Sequence, residues 1–222
     1  MKTSNTSARI AASTLSLFLI ILVGGCSSAY YGTMEKVGIH KRDILVDRVE
    51  GARDSQEQAQ EQFKSALEQF DSVVSLKETD LKKAYDKLNS EYEDCEAAAK
   101  KVSSRIDKVE DVSEDLFDEW EDEISLYENR DLARASEKQL KQTKQRYKEM
   151  LSRMKDAEES MEPVLRIFRD NVLFLKHNLN AQAIGSLQEE FAGLESEIGN
   201  LVNRMSRAIE SSNAFIEEMK TN

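Results

Sequence analysis

Residues 45–73 read LVDRVEGARDSQEQAQEQFKSALEQFDSV, and within them Leu45, Val49, Ala52, Gln56, Ala59, Phe63, Ala66, Phe70 and Val73 recur at alternating steps of four and three. That spacing returns all nine side chains to one face of an α-helix, a heptad seam of the kind that packs against other helices. Met34, Val37, Lys41 and Ile44 carry the pattern back less regularly towards the N-terminus. Gly32 and Gly38 weaken the first turns there, because glycine loses the most backbone entropy in a helix.

Three further seams follow. The second runs Leu81, Tyr85, Leu88, Tyr92, Cys95, Ala99, Val102, Ile106, Val109, Leu116, Trp120, Ile124 and Tyr127. The third runs Leu140, Thr143, Tyr147, Met150, Met154, Ala157, Met161, Val164, Phe168, Val172, Leu175 and Leu179. The last runs Ile184, Leu187, Phe191, Leu194, Ile198, Leu201, Met205, Ala208, Ser212, Phe215 and Met219. Lys77 to Asp80 interrupts the first pair, Asn129 is expected to close the second helix with Asp131 capping the next, and Asn178 and Asn180 mark the last turn. Pro163 lies inside the third seam, where its missing N–H and its ring predict a kink or short break at Ser160 to Pro163.

The expected fold is therefore all-α: an elongated antiparallel four-helix bundle or coiled coil over residues 30–222, with helices at about 30–76, 80–128, 131–178 and 181–220. Each would be roughly 60 to 75 Å long at 1.5 Å per residue. Two separate hairpins, or a hairpin that dimerises through its seam, satisfy the same pattern. Composition agrees with helices: the 222 residues include one Pro and eight Gly, and 33% are charged. An acidic run from Glu110 to Glu123 faces, across the turn at Asn129, a basic run from Arg134 to Lys155. Such pairs are individually weak and serve register and partner choice.

Before the helices stands a different signal. Lys2 and Arg9 precede an apolar stretch from Ile10 to Val23, and Leu22-Val23-Gly24-Gly25-Cys26 ends it. The stretch is shorter than a spanning helix and diluted by Ser13, Thr14 and Ser16, the layout of a signal peptide. The site resembles the bacterial lipobox. Residues 1–25 are accordingly expected to be removed, Cys26 to carry lipid, and 26–29 to form the lipidated N-terminus. An uncleaved anchor with an incidental cysteine is the other reading of these residues. Ser27, where Asp would favour retention at the inner membrane, implies the inner leaflet of the outer membrane with a periplasmic body. Several acyl chains would make this a stable anchor. The formal charge of −11 becomes −13 once Lys2 and Arg9 leave with the leader, so nucleic acid is not an expected partner.

Three stretches, Ala29-Tyr30-Tyr31-Gly32-Thr33-Met34-Glu35-Lys36-Val37-Gly38-Ile39-His40-Lys41-Arg42-Asp43-Ile44-Leu45, Phe117-Asp118-Glu119-Trp120-Glu121 and Val172-Leu173-Phe174-Leu175-Lys176-His177-Asn178-Leu179-Asn180-Ala181-Gln182-Ala183, resemble a family of Gram-negative lipoproteins defined only as a domain of unknown function. The resemblance spans the mature chain. It implies a helical periplasmic lipoprotein and supplies no catalytic residues.

The residues themselves offer little catalysis. There is no Gly-x-x-x-x-Gly-Lys-Ser/Thr phosphate loop, no Gly-x-Ser-x-Gly elbow and no Glu-x-x-His pair of the ferritin-like kind. His40 and His177 lack partners at metal-ligand spacing. The acidic run on a heptad helix lacks the turn-bearing loop of a calcium site. No enzyme activity, cofactor or metal is expected. Cys95, left without an intramolecular partner, reads as a buried small hydrophobe or as an intermolecular disulfide.

Two groups are singled out for contact. Tyr30, Tyr31, Lys36, Lys41 and Arg42 form either a membrane-proximal collar of aromatics and cations or an ordinary helix start. His177 and Asn180 lie at the turn farthest from the anchor, either as a distal interaction tip or as local helix-end chemistry. The expected role is a membrane-anchored structural or protein-interaction spacer, its partners the membrane through the lipid and an envelope protein or a second copy. The alternative is a carrier of an apolar ligand or lipid, with Met-rich helices opening a groove.

Overall fold

The computed structural model describes residues 40–75, 80–178 and 181–221, the side chains of 181–183 excepted. Backbone contacts divide the chain into two compact units, Met1–Ile44 and Leu45–Asn222. Of the first unit only residues 40–44 are described, and the helix packing resides in the second. Among the described residues five helices follow in order: α1 (Lys41–Ser75), α2 (Leu81–Ser125), α3 (Arg130–Glu159), α4 (Met161–His177) and α5 (Ala181–Thr221). Among the described residues there is no strand.

Every one of the nine seam positions from Leu45 to Val73 is buried, none more than 3% exposed. Phe63 and Phe70 are the largest of them. Three- and four-residue steps hold them on the inner face while Glu57, Glu61, Glu68 and other polar residues stay outside or half-outside.

Side-chain caps set two of the helix starts. Asp80 Oδ1 accepts from the Lys83 N–H at 3.2 Å, opening α2. Asn129 is extended, and its Oδ1 accepts from the N–H groups of Asp131 at 2.9 Å and Leu132 at 3.3 Å. Asn129 is thus the N-cap of α3, a correction to its expected role of closing α2. Asp131 instead lies in the first turn, where its carboxylate suits the positive end of the helix.

The third rod is two helices. Its break falls at Ser160, between α3 and α4. Pro163 supplies the cause: it cannot donate to the Glu159 carbonyl and its ring crowds that same group, so the helix restarts at Met161 with Pro163 in the first turn. Ser160 Oγ donates to the Ala157 carbonyl at 2.7 Å, satisfying one acceptor that the break would leave open.

Contacts fix the neighbours and their antiparallel register. Gln62 donates to Glu91 (3.0 Å) and Lys101 to Gln58 (2.7 Å) between α1 and α2. Lys155 meets Glu110 (2.6 Å) and Lys144 meets Glu121 (2.5 Å) between α2 and α3, so the acidic and basic runs do lie together. Arg146 pairs with Glu218 between α3 and α5. Arg53 donates to Asn213 (3.0 Å), Gln60 to the Val202 carbonyl (3.0 Å) and Lys220 pairs with Glu50 (2.6 Å) between α1 and α5. The α5–α1 contact closes four rods around one core, a contact that two separate hairpins would lack.

Phe70 packs edge-on against Phe168 across the diagonal, with centroids 5.9 Å apart, and stacks on Phe191 of the neighbouring α5 at 6.0 Å. Met150, Met154, Met161, Met205 and Met219, the thioethers that would line an apolar-ligand groove, are buried in this core. No helix among the described residues is long and apolar enough to cross a membrane.

Several core positions are polar, among them Gln56, Thr143 and Ser212. Gln56 is fully buried, its Nε2 donates to the Met154 carbonyl at 3.3 Å, and its Oε1 has no protein partner. Leaving a buried acceptor unmatched costs about 1 to 3 kcal/mol. Urea unfolding should therefore show Gln56→Met raising stability by about 1 kcal/mol and Phe63→Ala lowering it by about 3 to 5 kcal/mol, with unchanged slopes. A destabilised Gln56→Met protein would contradict this.

Candidate functional site

A closed bundle leaves its ends as the places where side chains escape packing. Among the described residues, the exposed large apolar side chains are Leu126, Tyr127, Leu132, Leu173 and Phe174. The first three sit around the α2–α3 turn; the other two are near the end of α4, on the opposite end of the second unit. From Leu132 to Leu173 the third rod spans roughly 60 Å at 1.5 Å per residue.

The α4 group is the richer of the two. Val172 and Leu175 point inward and are buried, which forces the intervening Leu173 and Phe174 outward, to 45% and 41% exposure. His177 follows one helical turn later and is exposed, and Asp170 precedes them by one turn. Beside Phe174 runs a groove of about 390 Å³ lined by Ile167, Asp170, Asn171 and Phe174 of α4 and Ser186, Glu189 and Glu190 of α5. Asn171 is buried in its floor and donates Nδ2 to the Ile167 carbonyl at 2.8 Å. Arg169 lies 3.6 Å from Asp170 at its edge. The surface sets the apolar side chains of Ile167 and Phe174 among three carboxylates, a combination that suits an apolar segment carrying basic side chains.

The helix end itself is closed by Asn178, not by His177. The Asn178 N–H bonds to the carbonyls of Phe174 (3.1 Å) and Leu175 (3.3 Å), and its Nδ2 donates to the Phe174 carbonyl at 2.9 Å. His177 and Lys176 sit in the last turn, where cations complement the helix dipole.

The other expected site residues are distributed as follows. Cys26, Tyr30, Tyr31, Lys36 and Asn180 lie outside the described residues, as do residues 1–25 and the turn residues 76–79. Lys41 and Arg42 open α1 within the first unit, half-buried, and each has an interaction partner. His177 alone of the set is described within the second unit, so no two of these residues are brought together there. Leu173, Phe174, Glu189 and Glu190 were not singled out from the sequence. The signal was present in Val172-Leu173-Phe174-Leu175: four consecutive apolar residues cannot all face one side of a helix.

The α2–α3 turn also departs from expectation. Tyr127, assigned to the second seam, is 45% exposed. The Arg146–Glu218 pairing puts Thr221, the last residue of α5, opposite about Thr143. α2 itself ends at Ser125, so Tyr127 lies in the turn and off the helical seam.

Reactive chemistry is scarce in what is described. No group of three or more His, Cys, Asp or Glu side chains that could hold a metal occurs among the described residues. Cys95 is free and buried, its Sγ 3.9 Å from the Gln62 carbonyl, and burial pushes its thiol up to about 12. Burial likewise pushes Tyr147 up to about 12, although its Oη lies 2.6 Å from Ser113 Oγ in a hydrogen bond that opposes the shift. Neither group ionises near neutrality.

The family whose description reads "Protein of unknown function (DUF2959)" matches residues 30–219. The chain belongs to this family. No curated protein matches it. The family's matched range takes in α1 to α5 almost whole, so both exposed apolar groups lie on the family domain.

Both raised acids favour the folded state only while neutral, so their contribution is complete below about pH 9 and is lost as pH rises towards 12. Thermal melts should fall steeply over that interval, and Cys95→Ala should flatten part of the fall. Native protein at pH 8 should resist maleimide at Cys95 until urea unfolds it. Rapid labelling of the native thiol would contradict its burial.

Proposed function

We propose that the chain is a lipoprotein anchored through Cys26 in the inner leaflet of the outer membrane, whose periplasmic bundle works as a spacer and protein-interaction module. The address rests on the basic leader, the apolar stretch, Leu22-Val23-Gly24-Gly25-Cys26 and Ser27. The interaction role rests on one observation: Leu173 and Phe174 stand exposed beside the acid-rimmed groove of Asp170, Glu189 and Glu190. Two exposed apolar side chains with convergent carboxylates favour a protein partner that brings an apolar anchor and basic flanks. His177, one turn beyond Leu173, would extend the contact, and Asn180 follows it in the sequence. The membrane-proximal collar of Tyr30, Tyr31, Lys36, Lys41 and Arg42 belongs to the same reading, as the part that meets headgroups.

A photo-crosslinking residue placed at position 177, one turn beyond Leu173, should give a discrete adduct with one envelope protein in living cells, and the same residue at Glu195 should not. Leu173→Ser with Phe174→Ser should abolish that adduct while leaving the melting temperature nearly unchanged, since both side chains are already exposed. Cys26→Ala should release the protein from the membrane fraction. An unchanged adduct with the double serine variant would overturn the interaction surface, and a membrane-bound Cys26→Ala protein would overturn the anchor.

A further inference from the structure

The second exposed apolar group has a different setting. Leu126 is 78% exposed, Leu132 54% and Tyr127 45%, all within one turn of the Asn129 cap. The segment Leu126-Tyr127-Glu128-Asn129-Arg130-Asp131-Leu132-Ala133-Arg134 carries two acids and two bases, so it is locally neutral on a strongly acidic chain. Arg134 pairs with Asp131 at 2.5 Å, which holds part of that charge internally. Leucines and a tyrosine on a neutral turn are the composition favoured at the boundary between headgroups and acyl chains.

Its position fits the same surface. The α1–α2 pairings of Gln58 with Lys101 and Gln62 with Glu91 set Leu45 opposite about Val112 to Ser113. The turn at 126–129 therefore projects about 20 to 24 Å past the level of Leu45, at 1.5 Å per helical residue. Nineteen residues of chain separate Leu45 from Cys26. They reach about 28 Å if helical and up to about 65 Å if extended. Either length covers that projection.

We infer that the α2–α3 turn, through Leu126, Tyr127 and Leu132, is a second membrane contact that rests on a zwitterionic phospholipid surface and sets the orientation of the bundle above it. The inference rests on the lipoprotein reading for its geometry. The acids just before the turn, Glu121, Asp122 and Glu123, argue against an anionic surface as the occupant. With one contact at the Cys26 lipid and another at the turn, the α4 groove is held facing away from the membrane.

The test uses the full mature chain from Cys26, with Cys95→Ala and Trp120→Phe, coupled through Cys26 to a maleimide lipid in phosphatidylcholine vesicles. Attachment then does not depend on cellular processing. A single reporter is introduced as Leu126→Trp, and Phe174→Trp at the opposite end is the control. Vesicles containing brominated lipid should quench Leu126→Trp about twofold or more and leave Phe174→Trp unquenched, as expected for interfacial burial of a few ångströms. Equal quenching of the two reporters would overturn the inference. So would a Leu126→Trp emission already blue-shifted before coupling and insensitive to bromine, which would assign the turn to a second copy of the chain. Unmodified Cys26 in cells would overturn the anchor reading alone, because the coupled vesicles do not rely on it.

Discussion

Burial of one stripe along α1 is the constraint on which the rest of the second unit depends. Leu45 to Val73 supplies nine inward positions over eight turns, and α2, the α3–α4 rod and α5 must each present a matching stripe to cover them. Because the stripe repeats every seven residues, each partner is committed to long helices of similar pitch. The aromatic contacts of Phe70 with Phe168 and Phe191 show the result: three rods meet at one layer, and a change in any of them is felt by the others. Polar pairings on the outside, such as Glu110 with Lys155, add little energy individually but discriminate between registers.

Much of this was legible because it depends on local pattern. The seam of α1, the break forced by Pro163 and the neighbouring acidic and basic runs follow from spacing, ring geometry and charge. What was less legible depended on where a helix stops. Tyr127 satisfies the heptad rule as well as Ile106 does, yet one is exposed and the other buried, because α2 ends at Ser125 and leaves Tyr127 in the turn. Asn129 was misread for a related reason: asparagine serves both ends of helices, and only its extended backbone and two accepted hydrogen bonds identify it as a start. Leu173 and Phe174 were written in plain view as part of an apolar quartet. The polar His177 and Asn180 beside them are the more conspicuous residues of a helix-ending turn.

A bundle of this kind spends its interior on packing, and that shapes what it can offer chemically. The potential nucleophile Cys95 and the phenol Tyr147 are held neutral by burial. Met150, Met154, Met161, Met205 and Met219 fill the core. Free chemistry remains at the ends, where an apolar pair beside carboxylates occupies one and a neutral apolar turn occupies the other. Exposed apolar groups at two ends of one packed core are what the proposed spacer role rests on.

The closure of α5 on α1 is the most direct point at which this account can be tested. In a chain lacking both cysteines, spin labels introduced as Arg53→Cys and Asn213→Cys would report the separation of two residues that are hydrogen-bonded at 3.0 Å in the structure. Allowing for the label arms, the account predicts one narrow distribution below about 25 Å, set by neighbouring helices about 10 Å apart, and unchanged on dilution with unlabelled protein. A broad or longer distribution, or a short one that vanishes on dilution, would mean that α1 and α5 of one chain are not partners, and would contradict it.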